Sequence, residues 1–416
     1  MPRPRSLAAT AALGLACAVL PAAPAAADDA ALRARLDRQL GAAGPYSGAY
    51  VYNVTDRRAV YRRRHLTPRI LASNVKLFTL AAVFGRLGRD GRLRTRVRGV
   101  GELDEAGVWT GDLYLRGGGD PSFGSRRFVI RAYGGGATVE TLAARLQQAG
   151  ITSVRGRVYG DELRFDSRRG GPDSGYRTSV YVGPLSALAF NRGLARENGS
   201  AFQTNPPLFA ARRLTAALEA RGIQVSGRAA VGRTPPGARS LASIGSPTVA
   251  RLARLTLKPS DNFFAELLVK GLAVQPGRWG TTARGAAAAA AFARRLGAKV
   301  RLVDGSGLAR ANRASPWRVT RLLLALRRRP WFRDFYTALP VAGREGTLKT
   351  RMRFGPARGR CRAKTGTLSN VSALSGFCRS RSGDLYAFSI LMNGVYPYRA
   401  RRLQDRMAHA LAGTQD

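Results

Sequence analysis

The sequence predicts an α/β (α+β) fold in which helices flank a five-stranded antiparallel sheet, beside an all-helical region. Three observations predict it. Alternating residues near the N-terminus are typical of a β-hairpin, and three further strand patterns follow one another near the C-terminus. Between them, short strands and glycine turns over residues 96–245 indicate an inserted domain of mixed α/β content, after which helical patterns return.

Length and composition indicate an exported globular protein. The 416 residues allow two or three domains, and 45% hydrophobic with 23% charged residues excludes a disordered chain. Residues 1–27 have a basic start, an apolar segment too short to span a membrane and small residues before a cleavage point near Ala27. We therefore expect a secreted protein that works in the cell wall or periplasm. A lipid anchor on Cys17 is disfavoured because Gly14 stands where a larger aliphatic residue is expected.

The formal net charge of +44 comes mostly from arginines spread through the chain. This spread disfavours nucleic-acid binding and suits electrostatic association with an anionic cell envelope, or a plain compositional bias. Only six of the 69 basic residues are lysines, which, unlike arginines, can lose their proton in proteins. Because His65 and His409 are the only histidines, a Ser-His-Asp triad and a histidine-rich metal site are disfavoured. We expect no metal and no cofactor.

The N-terminal elements are a helix, a hairpin and a second helix. An amphipathic pattern predicts the first helix, alternation predicts the two strands of the hairpin, and an apolar run from Lys76 predicts a buried helix that ends between Gly85 and Gly91. The first three elements are expected at Asp29–Leu40, Ser47–Val54 and Ala59–Arg62.

The inserted segment, residues 96–245, is predicted to alternate strands with helices. Strands are expected at Asp112–Arg116, Ser153–Tyr159 and Gln224–Val231, and helices at Val139–Ala149 and Leu208–Arg221.

From residue 246 the pattern is helical and then ends in strands. Helices are expected at Pro247–Leu257, Phe263–Leu272, Ala283–Leu296, Pro316–Arg328 and Pro330–Leu339, strands at Arg362–Thr367, Val371–Arg379 and Tyr386–Asn393, and a last helix at Tyr398–Leu411. Residues 28–95 and 246–416 would then form one catalytic domain. Its terminal helices would cover one face of the sheet and the helix after Ser73 the other.

Ser73 and Lys76 form the first candidate catalytic pair. A serine three residues before a lysine at a helix start places both side chains on one face. Backbone N–H groups there have no intrahelical partner. The pair offers a nucleophile, an amine to accept its proton, and helix-end dipoles for an oxyanion. Alone, the pair is equally consistent with a helix cap followed by a solvated lysine.

Two further motifs follow in order, Ser260-Asp261-Asn262 and Lys364-Thr365-Gly366. Together with Ser73-x-x-Lys76 they form the set found in class A β-lactamases and penicillin-binding proteins. Supporting stretches are Gly118-Gly119-Asp120-Pro121-Ser122, Leu185-Ser186-Ala187-Leu188, Asp304-Gly305-Ser306-Gly307-Leu308-Ala309-Arg310, Gly346-Thr347-Leu348 and Ala373-Leu374-Ser375-Gly376-Phe377.

On these residues the chain resembles the D-alanyl-D-alanine carboxypeptidases of the low-molecular-mass class C penicillin-binding proteins, over essentially its whole mature length. The 187 positions from Ser73 to Ser260 suit this class, since β-lactamases have a far shorter gap. The resemblance implies the serine penicillin-recognising fold. Family members often nest a further domain in the insertion, and here we expect it to be reduced or absent.

The resemblance also implies roles for the motif residues. Ser73 would attack the carbonyl between two D-alanines and become an acyl-enzyme. Lys76, as a neutral amine in a desolvated site, would accept its proton. Ser260 would relay a proton to the leaving amine, and Asn262 would hold the substrate amide and fix Lys76. Lys364 would attract the terminal carboxylate.

The remaining roles concern substrate binding. Thr365 would aid Lys364, Gly366 would let the substrate backbone lie beside the strand, and the N–H groups of Thr367 and Ser73 would form the oxyanion hole. Ser306 and Arg310 match positions near the acyl side of the cleft. Asp120 and Arg310 would bind the charged end of the third residue of the stem peptide. A plain turn at Asp120-Pro121 and a solvated Arg310 are the alternatives.

These implications describe a secreted serine D-Ala-D-Ala carboxypeptidase that trims peptidoglycan stem peptides, with DD-endopeptidase activity as a second activity to test and β-lactam antibiotics as covalent inhibitors. One alternative is a serine β-lactamase, which needs a deacylating base after Ser-Asp-Asn. Glu266 is the only acid there, and it sits inside an apolar helix. The other alternative, a non-catalytic protein that binds the cell wall, does not explain an intact catalytic set.

A disulfide is predicted between Cys361 and Cys378. A hairpin that turns between Ser369 and Asn370 places these two cysteines opposite each other, close enough for a bond. Export would let the bond persist. The alternative is two buried free thiols, since the turn could shift the register by one residue.

Overall fold

The computed structural model describes Met1 and residues 24–414 of the chain. Most of the predicted signal peptide, residues 2–23, lies outside the described residues. Within the described part, no helix combines the length and the apolar character needed to cross a membrane.

The described residues form the following elements. The strands are β1 Ser47–Asn53, β2 Arg58–Arg63, β3 Arg69–Ile70, β4 Arg94–Leu103, β5 Val108–Arg116, β6 Ser153–Arg155, β7 Val158–Asp161, β8 Gln224–Val225, β9 Ala230–Val231, β10 Arg239–Gly245, β11 Arg313–Ala314, β12 Cys361–Leu368, β13 Val371–Arg379 and β14 Leu385–Asn393. The α-helices are α1 Pro24–Gly41, α2 Val75–Leu87, α3 Arg126–Tyr133, α4 Val139–Gln148, α5 Pro206–Glu219, α6 Val249–Leu257, α7 Asn262–Leu272, α8 Thr282–Arg295, α9 Pro316–Leu326, α10 Phe332–Ala338 and α11 Pro397–Ala412.

The first sheet joins the two ends of the chain. Its strand order is β12-β13-β14-β1-β2, and every neighbouring pair is antiparallel. Ser47 of β1 lies opposite Met392 of β14. The predicted five-stranded antiparallel sheet, built from two N-terminal and three C-terminal strands, is therefore confirmed.

Each face of this sheet packs against helices through its own apolar cluster. On one face, α1 and α11 bury leucines such as Leu36 and Leu403 against Ile390 and other strand residues. On the other face, α2, α6, α7, α8 and α9 share a larger cluster with Ala373 and Phe377. Each leucine buried in this way contributes about 1.5–3 kcal/mol relative to an exposed one. The two clusters fix β12, at the edge of the sheet, beside the start of α2.

A second sheet is built from residues 94–245. Its main strand order is β10-β4-β5-β6-β8, with β7 paired to β5 and to β9. The pairs with β4 are antiparallel, whereas β5 is parallel to β6 and β7. Helices α4 and α5 pack on it through an apolar cluster around Trp109.

Two sequence predictions in this region are wrong in detail. The single strand expected at Ser153–Tyr159 is two strands, β6 and β7, and the one expected at Gln224–Val231 is also two, β8 and β9. The first break contains Gly156, where a Cβ would lie 2.0 Å from the Gly111 carbonyl oxygen of β5, and β6 and β7 pair with β5 on either side of this contact. The sequence analysis also missed β4, β10 and α3.

Candidate active site

Ser73 sits in a short 3-10 helix, Ala72–Asn74, that leads directly into α2. Ala72 adopts a left-handed backbone conformation with φ of 45°, which is uncommon for a residue with a side chain. The Asn74 Nδ2 group donates a hydrogen bond of 3.3 Å to the Lys364 carbonyl oxygen and so ties this turn to β12. The nucleophile candidate is therefore held in a tight turn against the edge strand.

Lys76 is completely buried beside Ser73. Its Nζ donates to Ser73 Oγ at 2.9 Å, to Asn262 Oδ1 at 2.7 Å and to the Ser306 carbonyl oxygen at 2.7 Å. Burial lowers the pKa of Lys76 to about 8, against the opposing charges of nearby acids such as Asp304. The site thus holds an amine that can exist in its neutral form, within hydrogen-bonding distance of the serine hydroxyl.

The second motif lies where α7 begins. Ser260 has a left-handed backbone conformation with φ of 63°, and Asp261 caps α7 by accepting a hydrogen bond of 3.0 Å from the Phe264 N–H. Arg192 forms an ion pair with the same carboxylate. Asn262 donates through Nδ2 to the Tyr181 carbonyl oxygen at 3.1 Å, which turns its amide oxygen toward Lys76.

Lys364 of β12 is also completely buried. Its Nζ donates to Ser260 Oγ at 2.8 Å and to the Thr365 carbonyl oxygen at 2.7 Å. Burial lowers the pKa of Lys364 well below its ordinary value, and the nearby charge of Lys76 lowers it further. The structure therefore directs Lys364 to Ser260, whereas the sequence predicted contact with the substrate carboxylate.

The three motifs open into one cleft of about 620 Å³. Ser73, Ser260, Thr365 and Thr367 contribute the motif side chains to its wall, and Thr365 bonds Thr347 through their hydroxyls at 2.7 Å. The other lining residues are Thr350, Arg351, Met352, Tyr398, Arg401, Arg402 and Asp405.

Gly366 has a structural reason to be glycine. A Cβ at this position would lie 2.9 Å from the Leu71 carbonyl oxygen and 3.1 Å from the Ala72 Cβ. Strand β12 therefore packs closely against the turn that carries Ser73. The sequence analysis assigned this glycine to the approach of the substrate backbone, and the packing supplies a second, independent reason.

Ser306 is placed differently from the expectation. Its side chain is completely buried, its N–H donates to Glu266 Oε1 at 2.8 Å, and its carbonyl oxygen accepts from Lys76. Ser306 does not line the cleft, and its carbonyl oxygen supports Lys76; its role in substrate binding stays a prediction.

Asp120 and Arg310 are not brought together. Arg310 is exposed, donates through Nη1 to the Ser369 carbonyl oxygen at 2.8 Å, and lines a separate cavity of about 670 Å³ with Asp173. Asp120 is 2% exposed and accepts from the N–H and hydroxyl of Ser122 at 2.8 and 2.7 Å. Burial raises the pKa of Asp120 to about 6. Asp120 lines neither the cleft nor the Arg310 cavity, and the binding of the stem peptide by Asp120 and Arg310 stays a prediction.

Sequence reasoning missed two buried acids behind Lys76. Glu266 Oε1 accepts from the N–H groups of Gly305 at 3.1 Å and Ser306 at 2.8 Å. Asp304 accepts from the N–H groups of Gly307 and Ala309 and from Asn312 Nδ2, at 2.7–2.9 Å. Burial raises the pKa of both carboxyl groups.

A signal for Glu266 was present in the sequence. Glu266 follows Asn262 by four residues in a mostly apolar helix, which places the two side chains on the same helix face. An acid on the buried face of a helix needs partners, and here they are the backbone N–H groups beneath Lys76.

Cys361 and Cys378 lie directly opposite each other in the β12–β13 pair and form a disulfide, with Cα atoms 4.0 Å apart. The bond closes the open end of the hairpin whose first strand carries Lys364 and Thr365. Among residues 24–414, no cluster of three or more histidine, cysteine, aspartate or glutamate side chains is arranged to hold a metal ion.

Comparison with known proteins identifies the family. The sequence pattern of the D-Ala-D-Ala carboxypeptidase 3 (S13) family matches residues 30–205 and 196–414. The chain belongs to this family. S13 enzymes are serine hydrolases, so the predicted enzyme class, a serine-type D-Ala-D-Ala carboxypeptidase, is confirmed.

Relatives with similar sequences support the S13 assignment. A D-alanyl-D-alanine carboxypeptidase of Actinomadura sp. (strain R39) is 29% identical, aligning 89% of this chain with 81% of the relative. A carboxypeptidase of Mycobacterium tuberculosis is also 29% identical, over 94% of this chain and 86% of the relative.

Solved structures support the fold. Penicillin binding protein 4 of Haemophilus influenzae superposes with a TM-score of 0.74 at 21% identity, over 90% of this chain and 97% of that one. A predatory peptidoglycan endopeptidase of Bdellovibrio bacteriovorus gives a TM-score of 0.51 at 18% identity, over 85% and 87%. The predicted penicillin-recognising fold is confirmed.

Proposed function

We propose that this S13 protein hydrolyses the D-Ala-D-Ala bond of peptidoglycan stem peptides through an acyl-enzyme on Ser73. The observation that carries the proposal is the 2.9 Å contact between Ser73 Oγ and Lys76 Nζ, in a site where burial lowers the pKa of the amine. An ordinary solvated lysine would hold its proton too tightly to serve as a base near neutral pH.

Acylation would begin with attack of Ser73 Oγ on the carbonyl carbon of the penultimate D-alanine. The hydroxyl proton passes to neutral Lys76, and the developing oxyanion is met by the N–H groups of Ser73 and Thr367. The bond from carbon to nitrogen then breaks. The leaving amine takes a proton from the Ser260 hydroxyl, which is bonded to Lys364. The proton that Ser73 gave to Lys76 replaces it on Ser260, so Lys76 is neutral again.

Deacylation would reverse these roles with water as the nucleophile. Lys76, again neutral, accepts a proton from water, the ester bond to Ser73 breaks, and the serine oxygen recovers its proton. The products are the shortened stem peptide and free D-alanine. The same chemistry releases a second stem peptide when the leaving amine belongs to a cross-link, which is the DD-endopeptidase reaction. β-Lactams would acylate Ser73 and remain attached.

The β-lactamase alternative requires a carboxylate that activates water in the cleft. Glu266 is completely buried, and its Oε1 accepts two backbone hydrogen bonds behind Lys76. This placement favours a supporting role for Glu266 and a long-lived penicillin adduct. A protein that only binds the cell wall would have no use for the buried lysine next to Ser73.

One experiment tests the proposal against both alternatives. The mature protein is labelled with fluorescent penicillin, the lifetime of the adduct is measured, and purified muropeptides are analysed by mass spectrometry after incubation with the enzyme. We expect a stable adduct together with loss of a single terminal D-alanine from pentapeptide stems. Rapid release of the adduct would indicate a β-lactamase, and no labelling at all would indicate a binding protein.

We also propose that the chain is exported, with residues 1–27 removed, and that residues 96–245 are an inserted domain beside the catalytic unit of residues 28–95 and 246–416.

Attraction to the anionic envelope would follow from the arginine-rich surface. Six arginines line a cavity of about 800 Å³: Arg57, Arg295, Arg321, Arg327, Arg328 and Arg329. This attraction is measured by sedimentation of the protein with cell walls that contain or lack their anionic polymers. The measurement is made at 0.1 M salt, where the Debye length is about 10 Å, and again at higher salt.

A further inference from the structure

We propose that Arg401, on the last helix, binds the carboxylate of the leaving D-alanine. This role rests on the proposed D-Ala-D-Ala hydrolysis, and it gives to Arg401 the charge recognition that the sequence motif suggested for Lys364.

One face of α11 forms a wall of the cleft. Tyr398, Arg401, Arg402 and Asp405 follow the spacing i, i+3, i+4 and i+7, which aligns side chains along one stripe of a helix. All four line the same cavity as Ser73 and Ser260. A helix outside the three motifs therefore contributes side chains to the site of the reaction.

Within this wall, Arg401 is anchored to the motif strand. Its Nη2 donates to Thr367 Oγ1 at 3.1 Å. Thr367 and Thr365 are two positions apart on β12, so both hydroxyls project from the same side of the strand. A guanidinium has five N–H donors in a planar fork, so the bond to Thr367 leaves donors for a carboxylate that lies beside the two threonines.

The charges around Arg401 leave it available for an anion. The only acid lining the cleft, Asp405, accepts from Arg351 through Nε at 3.0 Å and Nη2 at 2.7 Å. No carboxylate within residues 24–414 pairs with Arg401, whose side chain is exposed. The cleft therefore presents a guanidinium without a counterion.

Lys364 is less suited to the same task. Its Nζ is completely buried and already bonded to Ser260 and to the Thr365 carbonyl oxygen. Lys364 therefore serves the proton path through Ser260, whereas the guanidinium of Arg401 supplies the charge that binds the carboxylate.

The test compares two substrates that differ in one charge. An acylated peptide ending in D-Ala-D-Ala and the same peptide ending in D-alaninamide are hydrolysed by wild type and by Arg401→Gln, and kcat/KM is measured for both. A charged hydrogen bond of ordinary strength predicts that the variant loses about 10–100-fold on the carboxylate substrate and keeps its rate on the amide. Arg401→Lys should recover part of the loss, since it restores the charge but not the fork.

Arg399→Gln is the matched control, because it removes the same charge from an exposed position of the same helix that does not line the cleft. It should change neither rate. Equal loss on both substrates in Arg401→Gln would assign Arg401 a structural role, and no loss on either would remove it from the site. Penicillin labelling of the wild type distinguishes failure of the two proposals. If the wild type is not labelled, the proposed reaction on Ser73 is wrong. If it is labelled but Arg401→Gln has the same preference between the two substrates as wild type, only the role of Arg401 is wrong.

Discussion

The two sheets of the molecule differ in what they bury. Around the first sheet, Lys76, Lys364, Glu266 and Asp304 are completely buried, and the two lysines bond to groups distant in sequence. The second sheet surrounds Trp109 with an apolar cluster and buries one strand carboxylate, Asp161, which accepts from the N–H and hydroxyl of Thr234. Burial of charge costs free energy unless partners compensate it. That cost is concentrated where β12, α2 and α7 meet. Substitutions at this junction should therefore change the rate of acylation, whereas substitutions in the second sheet should change only the stability of the fold.

The largest effect is expected for Ser73→Ala. Without the hydroxyl no ester can form, so covalent labelling by fluorescent penicillin should vanish. Loss of one hydroxyl beside a helix start costs about 1 kcal/mol, so the thermal unfolding curve should stay close to that of wild type. A variant that is still labelled would show that another residue is the nucleophile.

Lys76→Arg should have the second largest effect on acylation. Arginine keeps its proton and cannot act as a base, so the rate constant of acylation should fall by about 10²–10⁴-fold, the usual contribution of general base catalysis. Stopped-flow or gel-based acylation kinetics measure it. Lys349→Arg, the same replacement at an exposed position of the described chain, is the control and should leave the rate unchanged. A rate within a few-fold of wild type would contradict the role of Lys76.

The pH dependence of acylation should report the same lysine. Lys76 acts in its neutral form, and the fraction of neutral amine falls about tenfold per pH unit below its pKa. With a pKa of about 8, the rate constant should rise from pH 6 to pH 8 and level off above. Measurement of the rate of acylation by penicillin across this pH range tests whether the rate rises or falls with pH. A rate that is flat, or that falls as the pH rises, would exclude a neutral amine as the base.

A smaller effect is expected when the disulfide is removed by Cys361→Ser together with Cys378→Ser. Opening a loop of this size should lower the free energy of unfolding by about 3 kcal/mol in the chain-entropy model. Folded enzyme should still be acylated, because the β12–β13 ladder keeps its register through seven further residue pairs. Denaturant titration of the wild type with and without reductant measures the contribution of the disulfide to the free energy of unfolding. A wild-type midpoint that is insensitive to reductant would argue against the bond.

The smallest effect on acylation is expected for Trp109→Ala in the second sheet. Trp109 is completely buried, and truncation of a buried aromatic ring should cost about 3–5 kcal/mol of stability. The rate constant of acylation per folded molecule should remain that of wild type. If it fell in parallel with stability, the two regions would be coupled, and the division between chemistry and scaffold would be wrong.

The motif residues and the first sheet were predictable from sequence because their signals are local. Ser73 and Lys76 share a helix start, and the strand pattern of β13 is continuous from Val371 to Arg379, with the bounds that the structure shows. The second sheet was harder, because its strands β6 to β9 are two to four residues long and are set by pairing with distant partners.

The missed contributors to the site share one cause. Glu266, Asp304 and Arg401 make contacts across the tertiary structure, and apart from the spacing of Glu266 from Asn262 no local pattern predicts these contacts. The placement of Ser306 and Asp120 depends likewise on burial, which the motifs alone do not determine. Gly366 was predicted to admit the substrate backbone, which stays a prediction, and the protein backbone that requires a glycine there belongs to a turn almost 300 residues earlier.

The pairing of β1 with β14 also sets an order of assembly. Strand β1 pairs with β2 in the N-terminal hairpin, but its second neighbour, β14, is not available until almost the whole chain has been synthesised, because Ser47 lies opposite Met392. The entropy of closing so long a loop grows only slowly with its length, by about 0.6 kcal/mol per doubling. The consequence is one of timing. The turn that carries Ser73 contacts the strand that carries Lys364 across 290 positions of sequence, so during synthesis the chain contains the nucleophile candidate long before it contains Lys364.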